Sequence, residues 1–153
     1  MPIKRHKALQ PLSRDHHQGL ILAQILKKGA PEYKGMPSTI EGKKEYAIAF
    51  SESELKQHFM MEENVLFAYA VNKNEELDTL IKELLIEHRE IIYLIEKITS
   101  SSQPENLLDE FGRKLESHIR KEEREVFVKV EEALSENELQ ELASKLKENP
   151  AKC

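Results

Sequence analysis

Two histidine–glutamate pairs, sixty positions apart, carry the chemistry of this chain: His58 with Glu62, and His118 with Glu122. A spacing of four residues sets each imidazole one helical turn from its carboxylate, on the same face. Imidazole nitrogen and carboxylate oxygen are donors that first-row transition metals accept. Twice over, the pair is half the ligand set of a dinuclear metal site. Leucine stands three residues before each histidine (Leu55, Leu115), and phenylalanine five residues after each glutamate (Phe67, Phe127). With core-type residues on both sides, the polar pairs are expected to point inward.

Two more histidines extend the pattern. The chain reads His17-Gln18-Gly19-Leu20-Ile21 near its start and His88-Arg89-Glu90-Ile91-Ile92 between the two pairs. The order is therefore His, His-x-x-x-Glu, His, His-x-x-x-Glu, one element per helix in two pseudo-equivalent halves. At ~100° per residue, Leu108, Phe111, Leu115, Glu122 and Val126 fall within ~80° of His118, while Glu123 is ~140° away. Leu55, Glu62 and Leu66 share the face of His58 in the same way, and Ile81, Leu84, Leu85, Ile92 and Ile95 surround His88. On the first helix, His17 lies ~40° from Ile21 and His16 ~140° from it, which makes His17 the first choice and His16 the second. The candidate metal ligands are thus His17, His58, Glu62, His88, His118 and Glu122.

A single inward histidine is usually a satisfied core residue, and one His-x-x-x-Glu pair is more often a hydrogen bond on a helix surface. The duplication shifts the balance, because a purely structural core would have to explain four inward histidines and two inward glutamates independently. Burying two carboxylates without partners is costly, and a bound cation removes that objection. Glu63 and Glu123 read as solvated groups or as partners that orient a ligand histidine. Tyr69 reads as a core residue before it reads as a hydroxyl near the site, and His6 as exposed.

Four long helices must position these groups. The first is expected from Ser13 as N-cap to about Lys28, ended by Gly29 and Pro31. The second should run from Ser38, through a Ser38/Glu41 capping box, to about Val71, with Gly42 as a weak point. Ser51 and Glu54 form another such box, which predicts a break near Phe50. The third spans roughly 75–99, and Pro104 opens the fourth, which runs to about Leu134. Ser135 with Glu138 starts a short last helix that ends near Asn149-Pro150. Long helices joined by short connections make an antiparallel bundle. The 153 residues are read as a single domain, with core bundle 12–134 and last helix 135–149.

Composition agrees. The chain is 39% hydrophobic and 33% charged, with no tryptophan and five glycines, which suits amphipathic helices better than sheets. A net charge of −5 and the absence of a basic face argue against nucleic acid as partner. Cys153 is the sole cysteine, so no internal disulfide forms and a thiolate cluster is excluded. No apolar run reaches membrane-spanning length, and the start of the chain lacks a signal-peptide pattern, so a soluble cytoplasmic protein is expected.

The set His17, His58-x-x-x-Glu62, His88 and His118-x-x-x-Glu122, with the Glu-Glu-x-x-x-Phe continuation at 62–67 and 122–127, resembles the hemerythrin-like, HHE-type cation-binding domains. The likeness covers roughly residues 12–134. It implies an all-α, up-down-up-down antiparallel four-helix bundle around two iron ions joined by an oxo or hydroxo bridge. In that picture Glu62 and Glu122 bridge the irons, the histidines form two terminal pairs, and room remains for a small ligand such as O2 or NO. Ferritin-like sites need Glu-x-x-His, whereas leucine stands three residues before His58, His88 and His118. Oxygen-carrying relatives have a second histidine one turn after the third-helix ligand, where this chain has Ile92. A simple carrier role is thereby weakened.

Three functions are weighed. The first is a non-enzymatic di-iron protein that binds or senses O2, NO or iron. The second is a di-iron oxidase, peroxidase or iron-centre repair enzyme. The third is a structural bundle that holds zinc or nothing. Manganese suits the same donors as iron.

Overall fold

The computed structural model describes residues 5–148. Within them the chain forms five helices and no strand: α1 (Gln10–Leu26), α2 (40–70), α3 (Glu75–Ser100), α4 (105–133) and α5 (Glu136–Glu148). Helices α1 to α4 run up and down in turn. The early residue Leu12 of α1 shares a core with Leu66 late in α2, Leu77 early in α3 and Val130 late in α4. Leu22 and Leu26, at the other end of α1, meet Ala47 early in α2, Ile95 late in α3 and Leu108 early in α4. The fold is an up-down four-helix bundle with α5 packed across its lower end.

The helix boundaries follow local chemistry. Asn74 caps α3 by accepting from the Leu77 amide at 3.0 Å. Ser135 and Glu138 form the reciprocal capping box at the start of α5, with amide contacts of 2.9 and 3.1 Å. Elsewhere the expected caps shift. Ser13 lies inside α1, which begins at Gln10 with Pro11 in its first turn, because its hydroxyl is used across the bundle instead. Thr39, rather than Ser38, caps α2, accepting from Gly42 at 3.0 Å. Neither Gly42 nor Phe50 breaks α2. At Ser51–Leu55 the helix widens into a π turn and continues.

Two more π turns, Glu62–Phe67 and Glu122–Val126, begin at the two motif glutamates. The extra residue in each wide turn lets neighbouring side chains both face inward. Leu66 with Phe67, and Val126 with Phe127, are accordingly all buried.

Two separate apolar clusters fill the bundle, one toward each end. Leu139, Leu142 and Leu146 of α5 close the lower one, next to Leu66 and Phe67. Between the clusters lies a layer of buried polar side chains: His16, His58, Glu62, His88, His118 and Glu122. Helices α1 and α4 approach closely at the level of the upper cluster. A Cβ on Gly112 would sit 2.9 Å from the Ala23 carbonyl oxygen, so this contact requires glycine. No helix among the described residues is long and apolar enough to cross a membrane.

A candidate metal centre in the bundle core

Each of the four long helices sends one histidine into the polar layer, and α2 and α4 add one glutamate each. Nitrogen and oxygen atoms of His16, His58, Glu62 and Glu122 lie within 4.8 Å of one another. So do those of Glu62, His88, His118 and Glu122. The two groups share both glutamates, and both glutamates are fully buried.

One expectation is corrected here. His17 is exposed and lies outside both groups; His16 is the α1 histidine that enters the layer. The inward face of α1 runs through Leu12, His16, Gly19, Ala23 and Leu26, one residue every three or four. Ile21, the apparent marker of the core face, is 37% exposed. Glycine carries no hydrophobic signal, so Gly19 hid the true phase. It is buried because Ile119 of α4 packs over it. Among the remaining expected ligands, His58, Glu62, His88, His118 and Glu122 all meet in the layer.

The imidazoles aim their Nε2 atoms at the centre. His16 Nε2 lies 2.9 Å from Glu122 Oε1, and His88 Nε2 lies 3.1 Å from Glu62 Oε1. His58 Nε2 stands 3.3 Å from Glu62 Oε2, and His118 Nε2 stands 3.3 Å from Glu122 Oε1. The rings of His16 and His58 are 4.9 Å apart, as are those of His88 and His118. Each half therefore presents a pair of imidazoles.

The opposite ring nitrogens form a second set of contacts. His16 Nδ1 donates to Glu123 at 2.6 Å, His58 Nδ1 to Asp15 at 3.0 Å, His88 Nδ1 to Glu63 at 2.7 Å, and His118 Nδ1 to Glu87 at 2.8 Å. An ionised carboxylate can only accept, so each holds the proton on Nδ1 and leaves Nε2 as the inward atom. The four carboxylates run round the bundle. Every one reaches the histidine of an adjacent helix. Glu63 and Glu123 were legible as orienting groups, whereas Asp15 and Glu87 were not. The signal was available: Asp15-His16 matches Glu87-His88 once His16 is aligned with His88.

Aromatic rings fix the imidazole planes. Phe127 stacks on His16 at 5.3 Å, and Phe67 on His88 at 6.0 Å, in the two halves of the pseudo-repeat. Phe59 also stacks on His88, at 3.8 Å. Tyr69 does not take part, since its hydroxyl donates to Glu141 of α5.

Electrostatics favour cations in the centre. Burial works against a charged His58, but Glu62, Asp15 and Glu122 outweigh it and push the ring up to about 10. His118 rises to about 9, burial again being overcome, here by Glu122, Glu87 and Glu62. His16 and His88 move in the same direction, against burial, through the glutamates beside them. Burial would raise the Glu122 carboxyl, yet His118 and His16 hold it well below the usual carboxylate range.

Donor chemistry and unmet polar atoms both fit metal ions. Glu62 Oε2, Glu122 Oε2 and His118 Nε2 are buried without a hydrogen-bond partner. They point into a layer whose atoms already lie at mutual distances suited to shared ligation. Next to the layer is a cavity of about 30 Å3, lined by Gly19, Phe50, Leu55, Phe59, Leu115 and Ile119 among others. It has room for one or two water-sized molecules.

A helical bundle with a buried His/Glu layer is a cation-binding architecture, and comparison with known families agrees. The family model described as "Hemerythrin HHE cation binding domain" matches residues 7–130. This chain belongs to the hemerythrin HHE cation-binding family. No curated protein and no solved structure matches it.

Proposed function

We propose that the chain is a non-haem di-iron protein that binds a small ligand such as O2 or NO, with His16 and His58 holding one iron and His88 and His118 the other. Glu62 and Glu122 would be shared by both. The observation that carries this reading is the pair of four-residue donor groups with two glutamates in common. Four neutral imidazoles and two carboxylates suit ferrous and ferric iron, and manganese takes the same set. When bound, the metal pair supplies Lewis acidity and electrons; the protein supplies orientation and a dry setting.

The small cavity beside the layer supports binding of a diatomic molecule. It abuts His16, His58, His118 and Glu122, and its apolar walls suit an uncharged guest. Ile92 stands one turn after His88 and contributes no donor, so two imidazoles are available to each metal. Fewer protein donors would leave positions open to exchange on each ion, which favours sensing of a small ligand over stable oxygen carriage.

Metal analysis of protein purified without added metal tests the reading. Two iron atoms per chain are expected, with near-ultraviolet and visible absorption from a ferric pair that changes on reduction and on addition of NO. A chain that holds zinc, or no metal after iron loading, would sink the proposal. Binding rather than turnover is the proposed role. Sustained consumption of peroxide by the iron-loaded protein would replace it with the enzymatic reading.

A further inference from the structure

His16 is supported differently from the other three histidines. Its partner Glu123 also accepts from the Ser13 hydroxyl at 2.7 Å. Behind Glu123 lies Arg5, whose side chain is 6% exposed. The Arg5 guanidinium donates to the Glu123 carbonyl at 2.7 Å and stands 3.4 Å from its carboxylate. Its other arm reaches Glu131 at 3.2 Å. The guanidinium also lies over the Phe127 ring, 5.4 Å from its centroid. Phe127 is the ring that stacks on His16. Arg5 therefore touches both groups that fix this imidazole.

The other half of the pseudo-repeat has a different arrangement. Glu63, the counterpart of Glu123, accepts from His88, and its side chain is 42% exposed. Arg89 contributes only at a distance there. Residues 5–9, just before α1, thus break the symmetry of the bundle. They are firmly seated: Ala8 and Leu9 are buried in the lower core, and the His6 amide donates to Glu131 at 2.6 Å. Burying a guanidinium costs solvation, which its contacts with two glutamates must offset.

We propose that Arg5 is a positioning residue for one of the two cations: by clamping Glu123 and Phe127 it fixes the His16 ring, so the His16–His58 position depends on docking of residues 5–9 while the His88–His118 position does not. Coupling of this kind is reciprocal. A cation held by His16 must in turn stabilise the docked segment.

The inference rests on the dinuclear reading above, and one titration separates the two. Cobalt(II) is added to metal-free full-length protein and followed by its visible bands, with a competing chelator to grade affinity. The native chain should take up two equivalents; failure to do so overturns the dinuclear reading itself. In Arg5→Ala, one equivalent should bind as in the native chain and the other roughly 10-fold or more weakly, the scale for loss of an orienting contact. Arg5→Lys keeps the charge but cannot span Glu123 and Glu131 together, and should recover part of the loss. Glu63→Gln should weaken the opposite equivalent, and combination with Arg5→Ala should weaken both. Trypsin cleavage after Lys7 should slow when the equivalent lost in Arg5→Ala binds to the native chain. A merely structural role would weaken both equivalents alike, and that result, or two unchanged equivalents in Arg5→Ala, overturns the proposal. Should Arg5→Ala fail to fold, Glu131→Gln loosens one arm of the guanidinium and the neighbouring His6 amide contact, leaving the Glu123 contacts of Arg5 in place. It is expected to produce a smaller loss at the same equivalent, and equal loss at both would be decisive against the idea.

Discussion

Asp15 and Glu87 occupy the same relative place in the two halves of the bundle. Each immediately precedes an inward histidine, and each accepts a hydrogen bond from a different one: Asp15 from His58, Glu87 from His118. Neighbouring helical residues point ~100° apart. If one of them faces the bundle axis, the next faces an adjoining helix. Asp15 and Glu87 stand beside inward histidines, and Glu63 and Glu123 beside the inward glutamates; together these four acids link the four helices into a closed ring of carboxylate–imidazole contacts.

The proposed α1 ligand, His16, gives the sharpest test. His16→Ala should reduce bound metal well below two per chain, because it removes a donor from one group and unseats Glu123. His17→Ala should retain both metals, since His17 is exposed. Metal-to-protein ratios after desalting measure this, and the reverse outcome would restore His17 as the ligand.

Loss of an outer acceptor should weaken binding without abolishing it. Asp15→Asn or Glu87→Gln keeps the shape but removes the charge that holds Nδ1 protonated. Metal affinity is expected to fall roughly 10–100-fold for each. Chelator competition reads the change, and native affinity in both variants would mean that these carboxylates are bystanders.

Without metal, stability should decline in alkali. His58 and His118 have folded-state values near 10 and 9, above the ordinary 6.5 of imidazole. Raised values mean that the folded chain holds protons more tightly than the unfolded one. The associated stability is fully present below about 6.5 and is lost as pH climbs through 9 to 10. Urea midpoints of metal-free protein should therefore drop between pH 6.5 and pH 10. Metal uptake at neutral pH must also expel these protons, which a pH indicator in weak buffer would record. A flat midpoint together with no proton release would contradict this electrostatic picture.

Two glycines between α1 and α4 should respond unequally to alanine. At Gly112 the new Cβ meets the Ala23 carbonyl oxygen at 2.9 Å, and backbone cannot step aside. Overpacking outweighs the gain in helix propensity, for a net cost of about 1–2 kcal/mol. At Gly19 it meets only the Ile119 Cδ1 atom, at 2.7 Å, which a rotamer change can move. Thermal melts should show the larger loss for Gly112→Ala. Gly19→Ala should instead alter NO binding, because Gly19 and Ile119 both line the small cavity.

Much of this molecule can be read from its residues in order. Histidine and glutamate four apart on an amphipathic helix must share a face, which is why His58 with Glu62 and His118 with Glu122 were identifiable without coordinates. Proline and serine placed most helix ends to within a few residues, because capping is local chemistry, although the Ser51/Glu54 pattern marked a break that does not occur. Local pattern was weaker where the face carried small or polar residues. On α1, Gly19 left the phase ambiguous, and Ile21 marked the wrong side.

What only the tertiary structure decided depends on distances between helices. Contacts such as Arg5 with Glu123, Asp15 with His58 and Glu87 with His118 join residues 118, 43 and 31 positions apart. Periodicity along one helix contains no information about which neighbour a side chain will meet across the bundle. The sequence by itself therefore determined the kinds of donor and the faces that bear them. Packing of α1 against α4, through Gly19 and Gly112, decided which α1 histidine enters the layer and set Glu123 against it, because close approach of two backbones is a property of the pair and not of either helix alone.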